Sequence, residues 1–215
     1  MIHNVIPINY FGGTGGQFLA SFLYSASQKN NSNWKFSEYG NAHHSNQHRI
    51  PIIRGLIEDP TSASNLKLLL EFATTIPENI TAYPQAHFAD PEEVLKYFDK
   101  QIKIYFEPEQ ADEIIGVIIL KNPEGFINLD TSKNGPIWLR RKQLMQTYRR
   151  LCNNCPDLEP RMLNISWNEM VYFDPDILIS KLSKFTLIPK EDFNATKFLE
   201  WRTLTLSTIS KVADM

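Results

Sequence analysis

The sequence predicts an α/β fold, a mainly parallel sheet with helices on both faces. Short apolar segments rich in β-branched residues alternate with longer segments whose apolar residues recur at helical spacing. A cluster of four glycines joins the first apolar segment to the first of these helical segments. Strands that alternate with helices usually form a parallel sheet that the helices cover on both sides.

Length and composition indicate one folded domain covering residues 1–215. The chain is 42% hydrophobic and 12% aromatic, enough for a substantial core. Its net charge of -2 argues against a general nucleic-acid or membrane binder. The N-terminus lacks the pattern of a signal peptide, and no segment reaches the roughly 18 apolar residues of a membrane span. A cytoplasmic protein without nucleic-acid or membrane partners is therefore expected.

Strands are predicted from short apolar runs at residues 4–9, 80–83, 102–106 and 162–166. Helices are predicted at residues 61–75 and 135–152, and after the Asp-Pro pairs at 90–91 and 174–175, because Asp caps a helix and Pro fits its first turn. Residues 114–120 are ambiguous: their β-branched content favours a strand, whereas the acidic segment before them favours a helix.

The polar segment at residues 27–48 is predicted to be a loop that helps to form a substrate pocket. Its histidines, His43, His44 and His48, would suit a metal only if His44 and His48 shared a helix face. A solvated loop or lid is preferred, and no metal is expected. Cys152 and Cys155 are interpreted as reduced cysteines at a helix end, since a zinc site needs two further ligands.

The glycine cluster is the strongest candidate for a binding site, and it comprises Gly12, Gly13, Gly15 and Gly16. Glycine permits positive φ, successive N–H groups in such a turn bind anions, and the helix that follows adds its positive dipole end. Residues 12–17 are therefore predicted to hold phosphate. Gln17 replaces the Walker lysine, and Phe18 replaces the third glycine of the dinucleotide pattern. A tight turn without a ligand is the alternative.

Three segments, in this order, resemble the sulfotransferase family. "YFGGTGGQFLASFL" resembles its phosphate-binding loop, with Gly12-Gly13-Thr14 at the centre. "ITAYPQAHFADPEEVL" is similar to the family's strand that ends near a histidine. "LNISWNEMVYFDPDILISKLSKFTLI" resembles the family's strand ending in a Tyr-Glu-Asp-Leu-like tetrad, here Trp167–Met170, followed by an Asp-Pro helix start.

The resemblance implies a parallel sheet of the P-loop type and transfer of a sulfuryl group from 3′-phosphoadenylyl sulfate (PAPS). The acceptor would be the hydroxyl or amine of a small molecule or carbohydrate, and no metal would be needed. The residues expected to bind the 5′-phosphosulfate are Gly12, Gly13, Thr14, Gly15, Gly16 and Gln17, with Thr14 also catalytic. His87 is the expected general base, at the carboxyl edge of the sheet. A histidine that only fixes its loop is the alternative.

The sequence departs from the family pattern where positive charge is needed. Phe11 stands where a lysine usually precedes Gly-Gly-Thr, and Glu107-Pro108 stands where Arg-x-Pro would hold the 3′-phosphate. Lys121 is a possible substitute. The arginines at positions 140, 141, 149 and 150 offer further charge, although a solvated helix face explains them as well.

Two other functions fit parts of the sequence. A short-chain NAD(P)-dependent oxidoreductase would use the glycine turn, with Glu38 on the ribose, but its Tyr-x-x-x-Lys spacing is missing because Tyr97 and Lys100 are one residue too close. A non-catalytic binding protein with a P-loop fold would explain the missing loop lysine. Trp34, Trp167 and Trp201 are expected either to stack on an adenine or to fill the core.

Overall fold

The computed structural model describes residues 1–10, 13–29, 34–36, 42–44, 63–76, 78–87, 91–121 and 160–213. The predictions that lie outside these residues concern Phe11, Gly12, Glu38, His48, the helix cap Asp90, the helix at 135–152 with its four arginines, Cys152 and Cys155.

A four-stranded parallel sheet forms the centre of the described structure. Its strands are β1 (Ile8–Tyr10), β4 (Gln85–His87), β5 (Gln101–Tyr105) and β6 (Met162–Ser166). They lie in the order β4-β1-β5-β6, so β1 has a parallel neighbour on each side. The predicted α/β class with a parallel sheet is therefore confirmed.

The strand bounds agree closely with prediction for β5 and β6 and differ for β4 and for β1, which spans Ile8–Tyr10 instead of residues 4–9. β6 is confirmed at residues 162–166, and β5 begins one residue earlier than predicted. The prediction at residues 80–83 is wrong, because only Ala82 pairs there, in an isolated bridge with Val5. Pro7 and Pro84 lack the N–H that a ladder needs, so regular pairing with β4 begins only beyond them.

The described helices are α1 (Gly16–Ser27), α2 (Ala63–Thr75), α3 (Pro91–Leu95), α4 (Ala111–Lys121), α5 (Trp167–Val171), α6 (Pro175–Thr186) and α7 (Ala195–Ala213). The ambiguous residues 114–120 lie within α4, whose first turn carries Asp112 and Glu113. The predicted start of α6 is confirmed, since the Asp174 side chain accepts a hydrogen bond from the Asp176 amide at 2.9 Å. Within the described ranges, no helix is long and apolar enough to cross a membrane.

The segment predicted as a loop at residues 27–48 contains regular structure. Strands β2 (Trp34–Phe36) and β3 (Ala42–His44) pair in an antiparallel ladder, with Trp34 opposite His44. The loop prediction is therefore wrong for these residues, because cross-strand pairing outweighs their polar composition. His43 and His44 lie on a strand, not on the helix that the metal alternative requires.

Two hydrophobic clusters show that both faces of the sheet are covered. Val5 belongs to a cluster with Leu69 and Ala73 of α2, whereas its neighbour Ile6 belongs to a cluster with residues of α1. Val5 and Ile6 lie in the extended segment just before β1, where successive side chains point to opposite sides, so α1 and α2 cover different faces. Trp167 and Trp201 are fully buried in the cluster that contains Ile6 and the residues of α1. Both therefore fill the core, and adenine stacking is ruled out for them in this arrangement.

Candidate functional site

The glycine turn lies at the carboxyl end of a central strand. In the sheet, β4 lies on one side of β1, whereas β5 and β6, which follow β4 in the chain, lie on the other side of β1. In open α/β sheets, such a reversal of strand order creates a crevice where ligands bind. Tyr10 pairs in register with His87, the last residue of β4. The backbone therefore places the predicted base one strand away from the predicted phosphate turn.

The backbone of the turn is left-handed at two of its described glycines. Gly13 has φ of 91° and Gly15 has φ of 81°, both in the left-handed region that favours glycine. Gly15 is also the N-cap of α1, so the N-cap contributes no side-chain acceptor. No acidic residue lies in the first turn of α1. The partial positive charge of the helix start is thus not countered by a carboxylate of its own.

The same glycines are needed for packing within the protein. A Cβ on Gly13 would lie 2.7 Å from Cγ1 of Ile118, and one on Gly15 would lie 2.7 Å from Cζ2 of Trp201. A Cβ on Gly16 would overlap the ring of Tyr10. Each of these three glycines therefore has a structural reason of its own, and their number alone is not evidence for a ligand.

Exposure within the turn is uneven. Thr14 is fully buried, and Gly15 and Gly16 are buried as well. Gly13 and Gln17 are half-buried. A ligand that approaches from solvent would therefore meet Gly13 and Gln17 first, with the amides of the turn behind them.

The long helix α7 packs against the turn. The rings of Trp201 and Phe18 are stacked, with centroids 4.4 Å apart and planes inclined by 7°. Arg202 donates to the carbonyl of Met170 from Nε and Nη2, both at 3.2 Å. Among the described residues, Trp201 Nε1 and Thr205 Oγ1 on α7 are buried without a hydrogen-bond partner. No local sequence signal could have predicted this contact, since Phe18 and Trp201 are far apart in the chain.

The carboxyl ends of β5 and β6 form a polar region whose side chains pair with one another or with nearby backbone amides. Ser166 Oγ accepts from the Glu169 amide at 3.1 Å, and Glu169 Oε2 accepts from the Ser166 amide at 2.8 Å. Glu169 also pairs with Lys181 of α6. Burial raises the pKa of Tyr105 above its ordinary value, and the charges of Glu169 and Glu107 raise it further. The carboxylates of Glu169 and Glu107 in this region would repel a bound anion.

The described lysines and arginines near the carboxyl edge of the sheet either bind other protein groups or are buried within the sheet. Lys181 pairs with Glu169, and Arg202 binds the end of α5. Lys103 is fully buried on β5, in register with Asn9 of β1 and Asn164 of β6. The predicted substitute Lys121 is the last residue of α4. Sequence reasoning missed Lys103, because a lysine within an apolar strand resembles an exposed edge residue.

The sequence matches no protein-family model and no curated protein at a significant level. The resemblance to sulfotransferases therefore stays a prediction that depends on the three motifs.

Proposed function

We propose that the chain binds the phosphosulfate end of an adenine nucleotide at the glycine turn. One observation supports this most directly. Helix α1 starts at the carboxyl end of a central strand, with a left-handed glycine as its N-cap and no acid in its first turn. Backbone amides in this arrangement bind phosphate and sulfate without a lysine.

The resemblance to sulfotransferases extends the proposal to a reaction. PAPS would donate a sulfuryl group to the hydroxyl or amine of an acceptor. The S–O bond to the donor's phosphate breaks, a bond from sulfur to the acceptor atom forms, and 3′,5′-adenosine diphosphate leaves. His87 would accept the acceptor's proton, and the turn amides with Thr14 would stabilise charge on the departing phosphate oxygens.

The binding step is tested by calorimetric titration with 3′,5′-adenosine diphosphate, with ATP and NADH as comparators. Gln17→Glu is the most informative variant, since Gln17 is half-buried in the first turn of α1. A carboxylate there stabilises the helix but repels a bound anion. We expect the affinity to fall roughly tenfold, about 1.4 kcal/mol, without loss of thermal stability.

Gln28→Glu is the matched control, because it makes the same charge change at the exposed C-cap of the same helix. Its affinity should stay within about twofold of the wild type, since the dipole effect is confined to the nearest turn. Equal losses in both variants would point to a general charge effect and contradict the turn assignment. Binding of NADH alone would favour the oxidoreductase instead.

The role of His87 is tested separately with His87→Gln, which keeps a polar side chain but removes the base. Nucleotide affinity should be unchanged, while transfer from PAPS to an acceptor found by screening should fall about 100-fold or more. A variant that transfers at the wild-type rate would exclude His87 as the base.

Nucleotide binding without catalysis is the second candidate. It is favoured by the engagement of Lys181 and Arg202, which leaves neither available as it stands to replace the missing loop lysine. This candidate predicts binding of 3′,5′-adenosine diphosphate that Gln17→Glu weakens, together with no release of that product from PAPS beyond the uncatalysed rate in any acceptor mixture.

A further inference from the structure

Trp201 is held against the glycine turn from two directions. One face of its indole stacks on Phe18, the third residue of α1. The edge that carries Cζ2 and Cη2 lies so close to Gly15 that a Cβ there would be 2.7 Å and 3.1 Å from these atoms. The ring is fully buried. Its orientation relative to the turn is therefore fixed by packing.

The N–H of this indole has no hydrogen-bond partner among the residues that the structure describes. Nε1 is two bonds from Cζ2, the atom of the ring that lies nearest to a Cβ built on Gly15. A buried indole N–H usually finds a partner, because leaving it unsatisfied costs as much as a lost hydrogen bond. Trp167 illustrates the usual case: it is equally buried, and its Nε1 donates to Glu113 Oε2 at 3.2 Å.

We propose that Trp201 is a binding residue for a tetrahedral oxyanion at the glycine turn, with its indole N–H donating to an oxygen of the phosphate or sulfate. This inference rests on the proposed function, since it assigns one more donor to the same site. The start of α1 without a side-chain cap and the unsatisfied indole N–H are independent observations, and the ring that carries this N–H packs beside Gly15. Donors from two elements far apart in sequence would hold the anion.

The test is a ¹H–¹⁵N spectrum of the full chain, in which the four tryptophans give four indole signals. Single Trp→Phe variants assign them. Sodium sulfate, sodium phosphate and 3′,5′-adenosine diphosphate are titrated separately at constant ionic strength. We expect the Trp201 indole proton to move downfield and to saturate together with the amides of residues 13–17. The Trp167 signal should not move, because its donor is already engaged.

The outcomes separate this inference from the proposed function. Turn amides that shift while the Trp201 indole does not would overturn the role of Trp201 and leave the phosphate turn standing. No shift at either place would overturn both. A response to all three ligands supports a site for the free oxyanion, whereas a response to the nucleotide alone supports one that needs the adenosine as well. In both cases, a shift of the Trp201 indole signal supports Trp201 as a binding residue.

Trp201→Phe gives a second test, because phenylalanine keeps an aromatic ring on Phe18 and removes the N–H. Affinity for 3′,5′-adenosine diphosphate should fall about tenfold or more, as expected for a hydrogen bond to a charged group. Trp167→Phe is the matched control and should change this affinity less than twofold. If Trp201→Phe does not fold, the spectrum of the wild-type chain still decides. Unchanged affinity in a folded Trp201→Phe protein would contradict the proposal.

Discussion

Two junctions between a strand and a helix lie at the same edge of the sheet and differ in how their helices begin. At the β6–α5 junction, the N-cap Ser166 and the third helical residue, Glu169, satisfy each other's amides. At the β1–α1 junction, the N-cap is Gly15 in a left-handed conformation, and it supplies no side chain. The first helix start is capped by its own side chains, whereas the second has no side-chain cap and no acidic residue in its first turn.

The end of β5 follows the self-contained pattern. The Glu107 amide donates to Gln110 Oε1 at 2.7 Å in the short turn that precedes α4. Acidic residues lie at both of these starts, Glu107 and Glu109 after β5 and Glu169 after β6, where they complement the positive end of a helix or turn. The comparison indicates that topology alone does not make a binding site. The β1–α1 junction differs because no acidic side chain in the first turn of α1 offsets the positive charge at the start of that helix.

The largest expected effect is that of Gly15→Ala. The left-handed conformation costs a residue with a Cβ about 1–2 kcal/mol, and the overlap with Trp201 adds roughly 1–3 kcal/mol of overpacking. We expect a loss of about 3 kcal/mol in the free energy of unfolding, measured in urea. A loss of no more than the roughly 1–2 kcal/mol expected from backbone strain alone would show that the indole yields easily, and would weaken the claim that packing fixes Trp201.

Ser166→Ala tests the self-contained junction and should have a smaller effect. It removes the acceptor for the Glu169 amide and should cost about 1 kcal/mol, the usual value for an N-cap. Nucleotide affinity should not change, because the β6–α5 junction is not proposed to bind. If Ser166→Ala weakened nucleotide binding as strongly as Gln17→Glu does, the distinction between the two junctions would be wrong.

Glu169→Gln separates capping from charge at the same junction. Glutamine can still accept from the Ser166 amide, but it loses the ion pair with Lys181. Lys181 is 44% exposed, so the pair is partly screened, and we expect a cost of about 0.5 kcal/mol. The difference from wild type should shrink in 1 M salt. A difference that salt leaves unchanged would show that the hydrogen bonds dominate.

The smallest effect concerns alkaline pH. Burial, then Glu169 and Glu107, raise the pKa of Tyr105 in the folded state, so the folded protein keeps this proton after the unfolded chain loses it. The stabilisation is fully present below about pH 10, the unfolded pKa, and is lost as pH rises through the folded pKa. Tyr105→Phe should therefore lose less stability than wild type between about pH 9 and 11. Parallel pH profiles would contradict this.

Local signals predicted part of the fold, including the glycine turn that precedes α1. The Asp174-Pro175 start and the strand at 162–166 agree with the structure, because capping and β-branched patterns act over a few residues. The glycine turn was predicted for the same reason. The hairpin of β2 and β3, the helical state of residues 114–120 and the shift of β4 were not, since each depends on partners elsewhere in the chain.

The sequence by itself determined that a glycine turn would follow an apolar strand and begin a helix, since only glycine adopts the left-handed conformation there without strain. It also determined where α6 begins. Only the tertiary structure decided that β1 would lie between β4 and β5, that the edge of Trp201 would cover Gly15, and that Lys103 would be buried. Strand pairing and side-chain burial are set by contacts between distant residues, and no local pattern encodes which distant residues will meet.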